Sequence, residues 1–352
     1  MLDKSETIQD LDRGGILEIM GQFDRHLEAA AGLAEGLSLG EVPADTRNVV
    51  LLGMGGSAIG GDLAKAYLGP RLTLPLEVVR SYSLPGHVGK GTLVIVSSYS
   101  GNTEETLSAF AAARRTSASV VAITSGGEVE ELARKHQFAC LKLPGGQPPR
   151  TALPFSFVGI LGVLEKSGLV SGAIREVRQS IPWVSERLRL YGPEQMESEN
   201  PAKQLARQLH GRISVVYGSE GRLAYVARRW SGQFCENGKG LSYFSALPEM
   251  NHNEIVGWKH PEETLADILP IFLSDRDDER RVAIRATITR ELLKQWTDPI
   301  LEFRAEGNSW LERLWTLILL GDFASVYLAL LNSEDPTPVE PIEQLKNRLK
   351  DF

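Results

Sequence analysis

Short apolar runs recur along the first half of the chain at near-regular spacing: Val49–Leu52, Leu76–Val79, Leu93–Val96, Val120–Ile123 and Cys140–Leu143. They are rich in Val, Ile and Leu without regular polar alternation, which is the pattern of parallel strands covered on both faces. Helical patterns such as Ala58–Leu68 and Thr103–Arg115 fill the gaps, so this half is predicted to be a doubly wound α/β domain. A helical lead-in over Asp10–Leu39 precedes it. Helical stretches with a break near Pro182 follow, and then the polar patch PEQMESEN, which reads as an interdomain surface or linker.

The alternation then begins again. A strand at Ile213–Tyr217, a helix through Tyr225–Phe234, strands at Asp267–Leu273 and Ile300–Arg304 and the apolar helix Trp310–Leu331 make a second α/β cycle. The tail DPTPVEPIEQLKNRL opens on prolines that forbid helix, then places Ile342, Leu345 and Leu349 at helical spacing for packing back on the body. Two halves also suit 352 residues, which exceed one ordinary core. The expected division is a lead-in over 1–40, a first domain over 41–170, a helical connection over 171–205, a second domain over 206–335 and a C-terminal segment over 336–352.

Composition and charge narrow the partners. With 42% hydrophobic and 24% charged residues the chain can fold by packing, with no metal or disulfide staple. Cys140 and Cys235 lie far apart in segments that read as internal, which argues against a disulfide framework and for a reducing, cytoplasmic home. The opening MLDKSETIQDLDRGG mixes both charges before any apolar stretch, unlike a secretory signal. Leu314–Leu331 contains Asp322 and falls short of the ~20 apolar residues a bilayer requires, so it reads as a buried helix and no membrane partner is expected. A formal charge of −7 leaves no basic excess for nucleic acid, while a local site for one small phosphate remains compatible with it.

Two loops carry the candidate chemistry. The first strand runs into GMGGSAIGGD, where Gly55, Gly56 and Ser57 can turn backbone amides and a helix N-terminus toward an anion. A plain strand–helix turn needs fewer glycines. Gly53, Gly55 and Ala58 also satisfy a loose dinucleotide pattern, but the second strand, PLEVVRSY, carries Arg80 near its end where that reading needs a carboxylate for the ribose. The third strand leads into SSYSGNTEET. Ser98, Ser100 and Thr103, with Gly101 and the helix that follows, can hold a phosphate dianion without a lysine, whereas helix capping alone requires one hydroxyl.

SYSGNTEET resembles the phosphate-binding loop of the sugar isomerase (SIS) domain, and GMGGSAIGGD resembles the first glycine loop of that fold. PPRTALP at Pro148–Pro154, ENPAKQLA at Glu199–Ala206, CENGKG at Cys235–Gly240, MNHNEIVGW at Met250–Trp258 and PIEQLK at Pro341–Lys346 occur in the order found in bifunctional phosphoglucose/phosphomannose isomerases. The resemblance runs from Val49 to the end, with Glu262–Thr297 as a variable stretch. It implies two doubly wound SIS-type domains with parallel sheets flanked by helices, no cofactor, and a phosphorylated hexose as substrate.

Interconverting an aldose and a ketose phosphate requires opening the ring, moving a proton between carbons 1 and 2, and stabilising the enediolate between them. The proton needs a partly desolvated carboxylate. Glu236, after a helix with Trp230, Phe234 and Cys235, stands where the family's catalytic glutamate stands; Glu249 and Glu254 are the fallbacks. His252, among Asn251, Asn253 and Glu254, suits ring opening and matches the family histidine, which in similar isomerases serves the neighbouring subunit's site and so implies a homodimer. Arg150, between prolines and a helix-forming run, can stabilise an enediolate electrostatically. Lys346 resembles the family's second ring-opening residue, and Thr337 or its neighbours bear on the choice between glucose and mannose epimers. No metal is expected, because MNHNE lacks H-E-x-x-H spacing and neither cysteine has a nearby partner. The competing reading is a non-catalytic SIS-type sensor of sugar phosphate, which would keep Ser98, Ser100 and Thr103 but has no need of Glu236 or His252.

Overall fold

All five apolar runs of the first half are strands in the computed structural model, which describes residues 1–40 and 42–351. The expected domain start at residue 41 and the last residue, 352, lie outside the described residues. β1 (Asn48–Leu52), β2 (Leu76–Val79), β3 (Thr92–Ser97), β4 (Ser119–Thr124) and β5 (Ala139–Lys142) form one sheet in the order β2-β1-β3-β4-β5, parallel throughout. Every residue of β3 is buried, as an apolar run covered on both faces requires. The strand order reverses between β1 and β3, and in open α/β sheets ligands bind beyond the strand ends at that point.

The lead-in is not one helix but three: α1 (Ser5–Leu11), α2 (Ile16–Met20) and α3 (Phe23–Gly36). The break has a cause in Asp12, whose buried carboxylate accepts the amides of Ile16 and Leu17 at 2.9 Å each and so starts a new helix. α4 (Gly55–Leu68), α5 (Glu104–Ala113), α6 (Gly127–Lys135) and α7 (Leu153–Lys166) follow the strands and cover the sheet. Phe110 of α5 and Val129 of α6 pack with Val50, Leu52, Val94 and Val96. The break expected near Pro182 is absent. Pro182 sits inside α8 (Ala173–Tyr191), where a missing N–H removes one bond of the ladder while buried Val177, Val184 and Leu188 hold the helix on either side.

The second cycle contains β6 (Ile213–Ser219), β7 (Ser242–Leu247), β8 (Ile268–Ser274) and β9 (Leu301–Arg304), again all parallel, in the order β7-β6-β8-β9. Its helices are α9 (Pro201–Leu209), α10 (Leu223–Glu236), the single turns α11 (Glu254–Gly257) and α12 (Glu262–Leu265), α13 (Arg280–Leu293), α14 (Trp310–Leu331) and α15 (Glu340–Leu349). Tyr217, Leu247, Trp258, Phe272 and Leu293 form a core around this sheet. The apolar window of α14 is wholly buried, as a core helix should be.

Two readings need correction here. Cys235 is exposed rather than internal, because α10 turns Phe234 inward and its neighbour one step round the helix outward. The tail helix forms, and its first turn with Ile342 lines a cavity beside Glu236, but Ile342, Leu345 and Leu349 are 42%, 59% and 44% exposed, so the stripe as a whole does not pack back on the body of a single chain.

By its contacts the chain divides into two units. One holds the first sheet, Gln22–Ser185 with Gly307–Glu312; the other holds the second sheet, Met1–Gly21 with Glu186–Glu306 and the chain from Arg313 onward.

Candidate active site

In the first-sheet unit the strand ends at the reversal point bring three segments together. Helix α4 starts at Gly55, whose φ of +48° suits glycine, directly beyond β1. Ser57 is buried, and its Oγ accepts the amide of Tyr99 at 3.2 Å, tying the glycine loop to the hydroxyl loop. A Cβ on Gly56 would lie 2.9 Å from the carbonyl oxygen of Pro149, so the segment carrying Arg150 presses on the same glycines. Arg150 is 4% exposed and sits in the single turn Pro149–Thr151. A loose surface arginine is thereby excluded.

The hydroxyl loop is built as a cradle. Ser98 Oγ and Thr103 Oγ1 stand 3.1 Å apart, Ser98 Oγ accepts the Gly101 amide at 3.2 Å, and Ser100 Oγ accepts the Asn102 amide at 3.3 Å. Gly101 is required: its φ is +71°, and a Cβ there would fall 1.7 Å from the carbonyl oxygen of Gly126. Thr103 occupies the capping position of α5, yet its side chain caps none of that helix's amides. Simple capping therefore does not account for these hydroxyls, and the positive end of α5 remains directed at the loop. Arg80 pairs with buried Asp62 of α4, so a guanidinium held in place stands near the end of β2 where a dinucleotide would need a free carboxylate.

In the second-sheet unit Glu236 is the last residue of α10 and is half-buried. The helix is anchored by Trp230, whose indole N–H donates to the carbonyl of Leu317 at 2.8 Å, and by Arg229, which grips Asp322 of α14 at 2.9 and 2.6 Å. Glu236 lines a cavity of about 760 Å³ together with Arg13, Lys239, Asp335, Glu340 and Ile342. This volume suits a small polar ligand, within the range of ordinary ligand pockets. Thr337 lies against Gly14, where a Cβ would meet its Oγ1 at 2.0 Å.

The other expected residues stand outside this cavity. His252 is exposed at the end of the turn Glu249–His252. The neighbours expected to orient it are engaged elsewhere: Asn251 donates to Thr289 Oγ1 at 2.8 Å, Asn253 donates to Glu249 Oε1 at 2.8 Å, and Glu254 accepts from the Tyr217 hydroxyl. Burial first, and the Glu254 charge next, hold the Tyr217 proton in place, pushing that phenol well above its ordinary value. Glu254 is thus committed to a structural bond. Lys346 is exposed on α15, one turn beyond Ile342, and is not among the cavity residues. Among the described residues no three of His, Cys, Asp and Glu gather as metal ligands. Lys239 has no role of its own in the sequence reading, although it lies in the CENGKG block; its type and spacing give no signal until its contacts are seen.

Residues 44–144 match the SIS domain family, and residues 198–349 match the family described as bacterial phospho-glucose isomerase C-terminal SIS domain. The chain is 39% identical to a bifunctional phosphoglucose/phosphomannose isomerase of Caldicellulosiruptor bescii, over 96% of this chain and 99% of that one. It is 37% identical to the protein of the same name from Aquifex aeolicus, over 86% and 91% of the two chains. In fold it resembles the crystal structure of a hypothetical protein from Thermus thermophilus, with a TM-score of 0.72, 18% identity, and coverage of 99% of this chain and 94% of that one. With its two SIS-type parallel sheets and its match to these relatives over most of both chains, the chain belongs to the bifunctional phosphoglucose/phosphomannose isomerase family.

Proposed function

We propose that this chain is an aldose–ketose isomerase that interconverts fructose 6-phosphate with glucose 6-phosphate and with mannose 6-phosphate through an enediolate. The observation that carries the reading is Glu236, a half-buried carboxylate at a fixed helix end on a cavity wall, in a member of this family. Glu236 takes the proton from one carbon and returns it to the next. Ser98, Ser100, Thr103 and the glycine loop at Gly55, Gly56 and Ser57 receive the phosphate through hydroxyls, amides and the α5 dipole. Arg150 faces the charge that develops on the enediolate oxygens and loses no proton itself. His252 and Lys346 open the ring.

The same reading makes the protein a cytoplasmic homodimer in which His252 serves the neighbouring subunit. Its support is local: the Asn251–Thr289 bond sets the His252 turn beside α13, whose Ile284, Ile288 and Leu292 are exposed in one helical stripe. Mixing Glu236→Gln with His252→Gln subunits should restore about a quarter of native activity if sites are shared across a two-fold axis, and none if each chain is self-sufficient.

The deciding experiment is turnover of fructose 6-phosphate to each aldose epimer by the native protein and by Glu236→Gln. The variant should bind substrate and lose roughly 10²- to 10⁴-fold in kcat. Binding without turnover in the native protein would instead identify a sensor of sugar phosphates, and turnover of the glucose epimer alone would remove mannose 6-phosphate from the proposal.

A further inference from the structure

Where α10 ends, the backbone enters a conformation that ordinary side chains avoid. Lys239 has a φ of +54°, in the left-handed region that glycine and asparagine tolerate best. Glycines flank it at 238 and 240, so a freer residue was close at hand in the sequence. The side chain shows what this position holds: its ammonium donates to the carbonyl oxygens of Glu236 at 2.7 Å, of Pro336 at 3.2 Å and of Pro338. The first acceptor belongs to the residue read as the base. The other two belong to the segment that leads into α15 and supplies Pro338, Val339 and Glu340 to the wall of the same cavity.

Nearby bonds define the rest of the turn. The Gly240 amide donates to the Phe234 carbonyl at 3.1 Å, and Asn332 Nδ2 donates to the Gly238 carbonyl at 2.7 Å. These bonds leave the Glu236 carbonyl to the ammonium, which also places positive charge at the negative end of α10. Backbone bonds within one turn cannot set the distance between α10 and the 336–338 segment. A single cation shared by carbonyls on both can.

We infer that Lys239 is a positioning residue: it fixes the Glu236 backbone against the Pro336–Pro338 segment, so that the carboxylate and the opposite wall of its cavity keep one spacing. The inference rests on Glu236 as the proton-transfer base. Lys239 acts through Glu236 and the wall, so its loss is felt in the proton step more than in substrate capture, since small misplacements of a reacting group are costly to rate.

The test compares Lys239→Asn with Lys239→Arg in the full-length protein. Asparagine suits the positive φ but cannot span to 336–338; arginine keeps a cation that can. Lys239→Asn should lower kcat roughly tenfold to a hundredfold with little change in KM for fructose 6-phosphate, and should speed amide exchange over 336–345. Lys239→Arg should recover most of the kcat. Native kcat in Lys239→Asn overturns the inference, as does a loss that arginine fails to restore. Should Lys239→Asn not fold, Lys239→Gly, equally suited to positive φ, is read by the same criteria. Glu236→Gln is measured alongside: native kcat in that variant refutes Glu236 as base and leaves the tether to be judged by amide exchange alone.

Discussion

β3 and β8 hold the same place in their sheets, each pairing with the strand that opens its cycle, yet they lead into different chemistry. Beyond β3 come Ser98, Ser100 and Thr103, short hydroxyls around a positive-φ glycine. Beyond β8 come Asp275, Asp277 and Asp278, and these are already satisfied: buried Asp275 accepts Arg313 Nε at 2.7 Å and Arg222 Nη2 at 2.8 Å, Arg313 also reaches Asp277, and Asp278 accepts the Ser219 hydroxyl at 2.7 Å. At one reversal point short hydroxyls surround a positive-φ glycine; the other has supplied its own anions to its own cations. A repeated fold thus gives the same location twice with different loop chemistry, and loop side chains decide whether the amides and helix ends there can meet a ligand or meet the protein itself.

The sharpest way to break this contrast is to unload the second loop. Asp275→Ala leaves Arg313 buried without its main partner and should cost about 3–5 kcal/mol, seen as a lower urea midpoint. In the first loop, Gly101→Ala forces a Cβ toward the Gly126 carbonyl; it should cost about 1–3 kcal/mol and raise KM for fructose 6-phosphate as the hydroxyls shift. A matched pair comes next. Ser98→Ala should raise KM roughly 10- to 100-fold by removing a hydrogen bond to a charged phosphate, whereas Ser219→Ala should leave KM unchanged and cost about 1 kcal/mol of stability. Equal KM effects from the two serines would refute the division of labour.

The smallest effect is one of pH. Burial pushes the Asp278 carboxyl above its ordinary value, against the opposing hydrogen bond from Ser219. An acid whose folded pKa exceeds its unfolded one stabilises the fold most when protonated, so its contribution is complete below about pH 4 and is lost as pH rises through the folded value. Asp278→Asn cannot titrate. The native protein should therefore lose stability relative to that variant as pH climbs from 4 toward neutrality, measured by urea unfolding at each pH.

Much of this was legible in the sequence where one physical signal dominates. The central strands β1, β3 and β4 are covered on both faces, so burial imposed an unbroken apolar pattern, while the edge strands β2 and β5 keep enough apolar residues beside exposed Glu77 and Lys142 to be marked to within a residue or two. β7 left no such trace: it is an edge strand with Tyr243 and Phe244 exposed and serines at 242 and 245, and its place is set by pairing with β6. α13 was hidden for a different reason: Val282, Ala286 and Leu293 face the core while Ile284, Ile288 and Leu292 face outward, so apolar residues on two faces blur the helical pattern. The hydroxyls and glycines proposed to hold the phosphate stand out by spacing, but the burial of Arg150 and the carbonyls gathered by Lys239 depend on segments far apart in the chain.

α14 has 22 residues, and an 18-residue window within it has a mean hydropathy of 1.9, enough by length and composition to rest in a lipid bilayer. In the folded chain that window is wholly buried, and the charged side chain it carries is one carboxylate. Asp322 near its middle would cost about 2.5–3.5 kcal/mol in hydrocarbon, while in the folded chain it meets Arg229 in a two-bond clasp. The pair therefore acts as an address within the fold: it matches the most apolar stretch of the chain to the helix bearing Glu236.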